Sequence, residues 1–125
     1  MTLSRRMTER IPLYSSWFDA NWLNEWNNID AAGVLTDISS AGFAGRMRQA
    51  PTVGHVFHAR LSLHEADASN LPLAIDVDAV ICQRHQRADF AGNDEWTVHC
   101  AIESIRPVEK QQLMQVIAEL KPETD

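Results

Sequence analysis

Three arginines, Arg5, Arg6 and Arg10, fall within the first ten residues, and Arg6 and Arg10 have three residues between them in "RMTER". A guanidinium is a planar fork of N–H donors that stays charged at any physiological pH and pairs with two acceptor oxygens at once. Such a cluster serves as an electrostatic arm, as a solubility feature or as one half of an anion site. The other half of a site must come from elsewhere, and polar chemistry next concentrates in "GVLTDISSAGFAGRM", residues 33–47. Alternation with a period of two turns Val34 and Ile38 toward a core and sets Asp37 and Ser39 together on the outer face. Gly42 follows where a hairpin must turn, and its tolerance of positive φ suits that turn. Taken alone, Asp37 and Ser39 read as surface groups beside a hairpin.

The charge of the chain is segregated. The formal net charge is -6, yet Arg5, Arg6 and Arg10 against Glu9 give the first ten residues +2 and leave -8 on the rest. An acidic body argues against binding DNA, RNA or anionic membrane, which need broad positive surface, whereas a small anion needs only a few arginines. With 125 residues, 45% of them hydrophobic, the chain has the size for one domain with one core. It contains two cysteines, Cys82 and Cys100, no signal-like apolar run near Met1 and no stretch of eighteen apolar residues. These features predict a cytoplasmic protein with reduced thiols, both cysteines filling core space, and no membrane insertion.

The elements that must position the polar groups are mostly strands. In "HVFHARLSL", Phe57, Ala59, Leu61 and Leu63 share one face; in "LPLAIDVDAVI", Leu71, Leu73, Ile75, Val77, Ala79 and Ile81 do so, opposite Asp76 and Asp78. "WTVHCAI" repeats the pattern through Trp96, Val98, Cys100 and Ile102, and the polar "HEADASN" and "RADFAGND" read as connections. Tyr14, Trp17, Phe18, Trp22 and Trp26 keep no single period, and a strand over Leu13 to Ala20 followed by an irregular turn around "NEWNN" is the expectation there. Pro107 opens a helix in which Leu113, Val116, Ile117 and Leu120 recur at helical spacing, and Pro122 stops it. About six short strands and one amphipathic helix predict a small β-barrel or sandwich covered by that helix.

The ordered pair of motifs, RxxxR at Arg6 and Arg10 and then [D/N]xSxxG at Asp37, Ser39 and Gly42, resembles the PilZ domain, a family of bacterial receptors for cyclic di-GMP. The resemblance covers residues 5–120 and implies an all-β fold with a C-terminal helix, a six-stranded antiparallel barrel. It divides the chain into an arginine-bearing flexible arm (1–12), the barrel (13–106) and the helix (107–121). It also implies that Arg5, Arg6, Arg10, Asp37, Ser39 and Gly42 bind the ligand, with Arg5, just ahead of the arginine motif, favouring two ligand molecules per chain. The chemistry agrees: guanidinium forks match phosphodiester oxygens and the O6/N7 edge of guanine, while a carboxylate accepts from its N1 and N2 donors. The implied mechanism is an ordering switch in which the arm folds over the barrel and the signal passes to a partner protein, with no cofactor. The chain departs from the family in its last strand, where "WTVHCAIESI" lacks the common glycine and phenylalanine.

Other constellations carry less. His55 and His58 would fall on opposite faces of a strand and share no metal, and His64, His85 and His99 define no ligand set. No GxSxG elbow accompanies Ser39, so enzyme activity is not expected. Trp17, Trp22 and Trp26 lie in a segment without basic residues, which favours core or partner contact over base stacking. The expectation is a cyclic di-GMP-binding receptor or adaptor that relays its state to an effector protein; the alternative is a ligand-independent adaptor of a pilus or flagellar assembly.

Overall fold

In the computed structural model, which describes residues 10–64 and 73–120, the alternating segments form strands whose apolar faces meet in one core. Among the described residues, seven strands precede one helix: β1 (Ile11–Pro12), β2 (Trp17–Asn24), β3 (Asn27–Ile38), β4 (Gly42–Met47), β5 (Val56–Leu63), β6 (Leu73–Ala88), β7 (Asp94–Ile105) and α1 (Pro107–Leu120). All pairings are antiparallel. The order β3-β2-β5-β6-β7-β4 closes through β3–β4 into a six-stranded barrel, and the short β1 is added against β3. Closure leaves no continuous free edge around the barrel, which removes the usual site of strand aggregation. Phe57, Ala59, Leu61, Leu63, Ile75, Val77, Ala79, Ile81, Val98 and Cys100 are all buried, as the alternation requires, while Leu71 and Pro122 lie outside the described residues.

At the centre, Phe18 fills a slot made by two glycines. A Cβ at Gly33 would come within 2.5 Å of its ring, and one at Gly45 within 2.6 Å. Phe18 is fully buried and packs against Phe43 at a ring separation of 5.4 Å.

The aromatic stretch departs from the expected boundaries. The strand is Trp17–Asn24 rather than Leu13 to Ala20, and the turn is a tight two-residue hairpin, Glu25 and Trp26, with Asn24 paired to Asn27. Glu25 takes a φ of 58°, which lets the hairpin follow the strand twist. The tryptophans have three different fates: Trp22 is buried, Trp17 is 45% exposed and Trp26, at the hairpin tip, is 95% exposed.

Helix α1 is pinned by a carboxylate as well as by Leu113 and Val116 in the core. Strand β7 ends at Ile105 opposite Val77, so the next amide of β6 on that side, that of Asp76, donates instead to Glu109 Oε2 at 2.8 Å. Arg106 Nε donates to Glu109 Oε1 at 2.7 Å. These contacts, Arg106 first and the Asp76 amide second, hold the Glu109 carboxyl below its usual range. A carboxyl depressed in the folded state binds fewer protons there than in the unfolded chain, so its stabilisation is full above the unfolded pKa of about 4.3 and is lost as pH falls through the folded value. Urea unfolding at pH 6 and at acid pH is therefore expected to show a smaller acid-induced loss in Glu109→Gln than in the wild type. An identical loss would show that this contact does not titrate with folding.

Candidate functional site

Arg10 is carried to its place by β1. Ile11 pairs with Ile38 and is buried in the core, and Pro12 pairs with Asp37, so the residue just before them lies against the outer surface of β3 and its neighbours. Arg10 Nη1 stands 3.8 Å from Asp37 Oδ2 and 3.1 Å from His99 Nδ1. Strand register explains this double contact: Asp37 pairs with Ala44 on β4, and Ala44 pairs with His99 on β7. The three share the outer face in one row. The guanidinium crosses the middle strand, where Ala44 leaves room for it.

Asp37 faces outward as expected, but the phase around it is different. Leu35 pairs with Gly45 and Asp37 with Ala44, which leaves Thr36 as the extra residue of a β-bulge. The bulge resets the alternation, so Leu35 and Ile38 both enter the core while Val34 is 45% exposed. The expectation of Val34 in the core is corrected on this ground. The main chain also knits residues 13–16 across the bulge, with Leu13 N donating to Thr36 O and Leu35 N to Ser16 O, both at 3.0 Å.

Ser39 and Gly42 are placed differently from the expected outward-facing serine and positive-φ glycine. Ser39 is buried, and its hydroxyl oxygen accepts from the amides of Ala41 and Gly42 at 3.2 and 3.1 Å, which folds the β3–β4 turn. It does not stand beside Asp37 on the open face. Gly42 is not among the positive-φ residues. Its need for glycine is one of close approach: a Cβ would collide with the Cys100 carbonyl oxygen of β7. Arg5 and Arg6 lie outside the described residues.

A cavity of about 200 Å³ opens beside Arg10, lined also by Ser39, Gly42, Cys82, His99 and Cys100. Arg10 and His99 supply polar groups to it. Asp37 does not line this cavity; its Oδ1 is buried with no hydrogen-bond partner among the described residues. Burial pushes the Cys100 thiol up to about 12, so it stays protonated and acts as core filler, whereas Cys82 is exposed. Among the described residues no cluster of three or more His, Cys, Asp or Glu side chains is arranged to hold a metal, and no helix is long and apolar enough to cross a membrane.

His99 is the member of this group that sequence reasoning missed. The phase of "WTVHCAI" already turns it outward, but its place in the Asp37–Ala44–His99 row depends on the pairing of three strands.

No protein-family model and no curated protein matches the sequence. Solved structures do. The PilZ domain of YcgR from Escherichia coli, with c-di-GMP, superposes with a TM-score of 0.63 at 19% identity over 93% of this chain and 91% of its own. The chain has the PilZ-domain fold. The PilZ likeness extends to the MrkH–c-di-GMP complex of K. pneumonia (TM-score 0.70, 17% identity, 93% of this chain and 51% of that one). It extends also to the Bacillus subtilis inhibitor of motility, MotI/DgrA (TM-score 0.60, 18% identity, 91% and 50%). This chain spans about half the length of MrkH and MotI and nearly all of the YcgR domain.

Proposed function

We propose that this PilZ-fold domain binds cyclic di-GMP at the Arg10–Asp37 face and relays the bound state to a partner protein. The observation that carries the proposal is the convergence of Arg10 with the outward-facing Asp37, whose buried second oxygen has no partner among the described residues. The fold is shared with a YcgR domain and a MrkH chain whose structures contain c-di-GMP. The Arg10–Asp37 pair is long, and the Arg10 side chain is 54% exposed. Such pairs contribute about 0–1 kcal/mol, so a phosphodiester displaces the carboxylate at little cost. Asp37 then turns to the N1 and N2 donors of a guanine, while Arg10 takes phosphate oxygens or the O6/N7 edge.

The cavity of about 200 Å³ is smaller than the roughly 300–1,000 Å³ of ordinary ligand pockets, so the described residues form only part of the wall. Arg5 and Arg6 complete it in this proposal, with Ser39 and Gly42 shaping the turn at its edge. The outgoing signal needs a surface, and Trp26 and Phe90 offer exposed aromatic groups at two hairpin tips on the barrel end away from the β3–β4 turn.

Titration calorimetry of the full chain with cyclic di-GMP tests this. Heat is expected for wild type, and Arg6→Ala and Arg10→Ala are each expected to weaken binding about ten-fold or more, the value of a lost bidentate contact. Amide exchange in residues 1–12 is expected to slow with ligand. Absence of heat in wild type would reject the receptor and leave the ligand-independent adaptor.

A further inference from the structure

We propose that His99 is a further anchor of this site, orienting Arg10 through Nδ1 and presenting its Nε2–H to a phosphodiester or purine oxygen of the bound nucleotide; this rests on the cyclic di-GMP proposal above. An arginine only donates, so the imidazole nitrogen 3.1 Å from Arg10 Nη1 must carry its lone pair there. The ring in that contact is neutral, with its proton on Nε2. One nitrogen is used by Arg10, and the other is left as a donor on a side chain that lines the cavity with Arg10, Ser39 and Gly42.

Charge makes the imidazole a better holder of Arg10 than the carboxylate. Asp37 neutralises the guanidinium, and it is needed elsewhere once a guanine arrives. A neutral imidazole orients the same group without cancelling its charge, so the full attraction to a phosphodiester is kept. Its contact is also the shorter, 3.1 Å against 3.8 Å to Asp37. When Asp37 moves to the purine, His99 remains as the tether that keeps Arg10 aimed across Ala44.

The test compares three replacements of His99 by titration of the full chain with cyclic di-GMP, with melting temperatures recorded. His99→Asn keeps an oxygen acceptor near the place of Nδ1; His99→Gln reaches the place of Nε2 without the inner acceptor; His99→Phe keeps the ring and neither nitrogen. Binding by His99→Phe is expected to fall about ten-fold or more, with unchanged melting temperature, and each amide variant is expected to recover part of the loss. In an Arg10→Ala background the same His99→Phe change is expected to cost clearly less than it does alone, because the tether then has nothing to hold. The role is overturned if wild type binds and His99→Phe binds within about two-fold of it. It is equally overturned if all three variants lose binding and melting temperature together, or if the loss is the same with and without Arg10. No heat in wild type would instead remove the cyclic di-GMP proposal itself.

Discussion

Asp37→Ala is expected to weaken cyclic di-GMP binding about ten-fold or more while leaving the melting temperature unchanged or higher. The two effects separate because Asp37 contributes little to the free protein. Its Oδ2 reaches Arg10 only at 3.8 Å, an exposed pair of about 0–1 kcal/mol, while its Oδ1 is buried without a partner among the described residues. An unsatisfied buried polar atom costs about 1–3 kcal/mol, so deleting the carboxylate relieves at least as much as it loses. A guanine bound through N1 and N2 would supply the missing donors, and the alanine variant has nothing to offer them. Calorimetric titration and a thermal melt on the same sample decide the matter. A large fall in melting temperature with binding intact would make Asp37 a structural anchor for β1 and not a ligand acceptor.

The second large effect concerns the core that holds these groups in register. Phe18→Ala is expected to cost about 3–5 kcal/mol, the range for removing a buried phenylalanine ring. In a domain of this size that lowers the melting temperature by roughly 10–20 °C. The value belongs at the upper part of the range because the ring lies between Gly33 and Gly45, which have no side chains to move into the gap. Since Gly33 belongs to β3 and Gly45 to β4, the same loss loosens the two strands that carry Asp37 and Ala44. Thermal unfolding measures it. A loss below about 2 kcal/mol would show that the barrel closes over the vacancy.

Much of the fold is legible in the chain as written. The segments "HVFHARLSL" and "WTVHCAI", and residues 73–81 of "LPLAIDVDAVI", turn the expected residues inward, and the helix runs Pro107–Leu120 with Leu113 and Val116 buried. Alternation is a local property, set by a backbone that sends successive side chains to opposite sides. It fails where the chain breaks its own period. At Thr36 one extra residue shifts the phase, so Val34 and Leu35 exchange places relative to the simple pattern. Nothing in "GVLTDIS" marks that residue, because a bulge is a relation between two strands. The aromatic stretch was obscure for a related reason: Trp17 and Trp26 are apolar by type and exposed by position.

The sequence by itself determined which side chains have the chemistry: forked cations near the start, an outward carboxylate at Asp37, and alternating strands closed by a helix. Tertiary structure decided how they are combined. It buried the Ser39 hydroxyl in a turn, required glycine at position 42 through the approach of β7, and brought His99 to Arg10 across eighty-nine positions of chain. The physical reason is barrel closure. Strands distant in sequence become neighbours at a spacing of about 4.8 Å, and only their register sets which residues stand in one row.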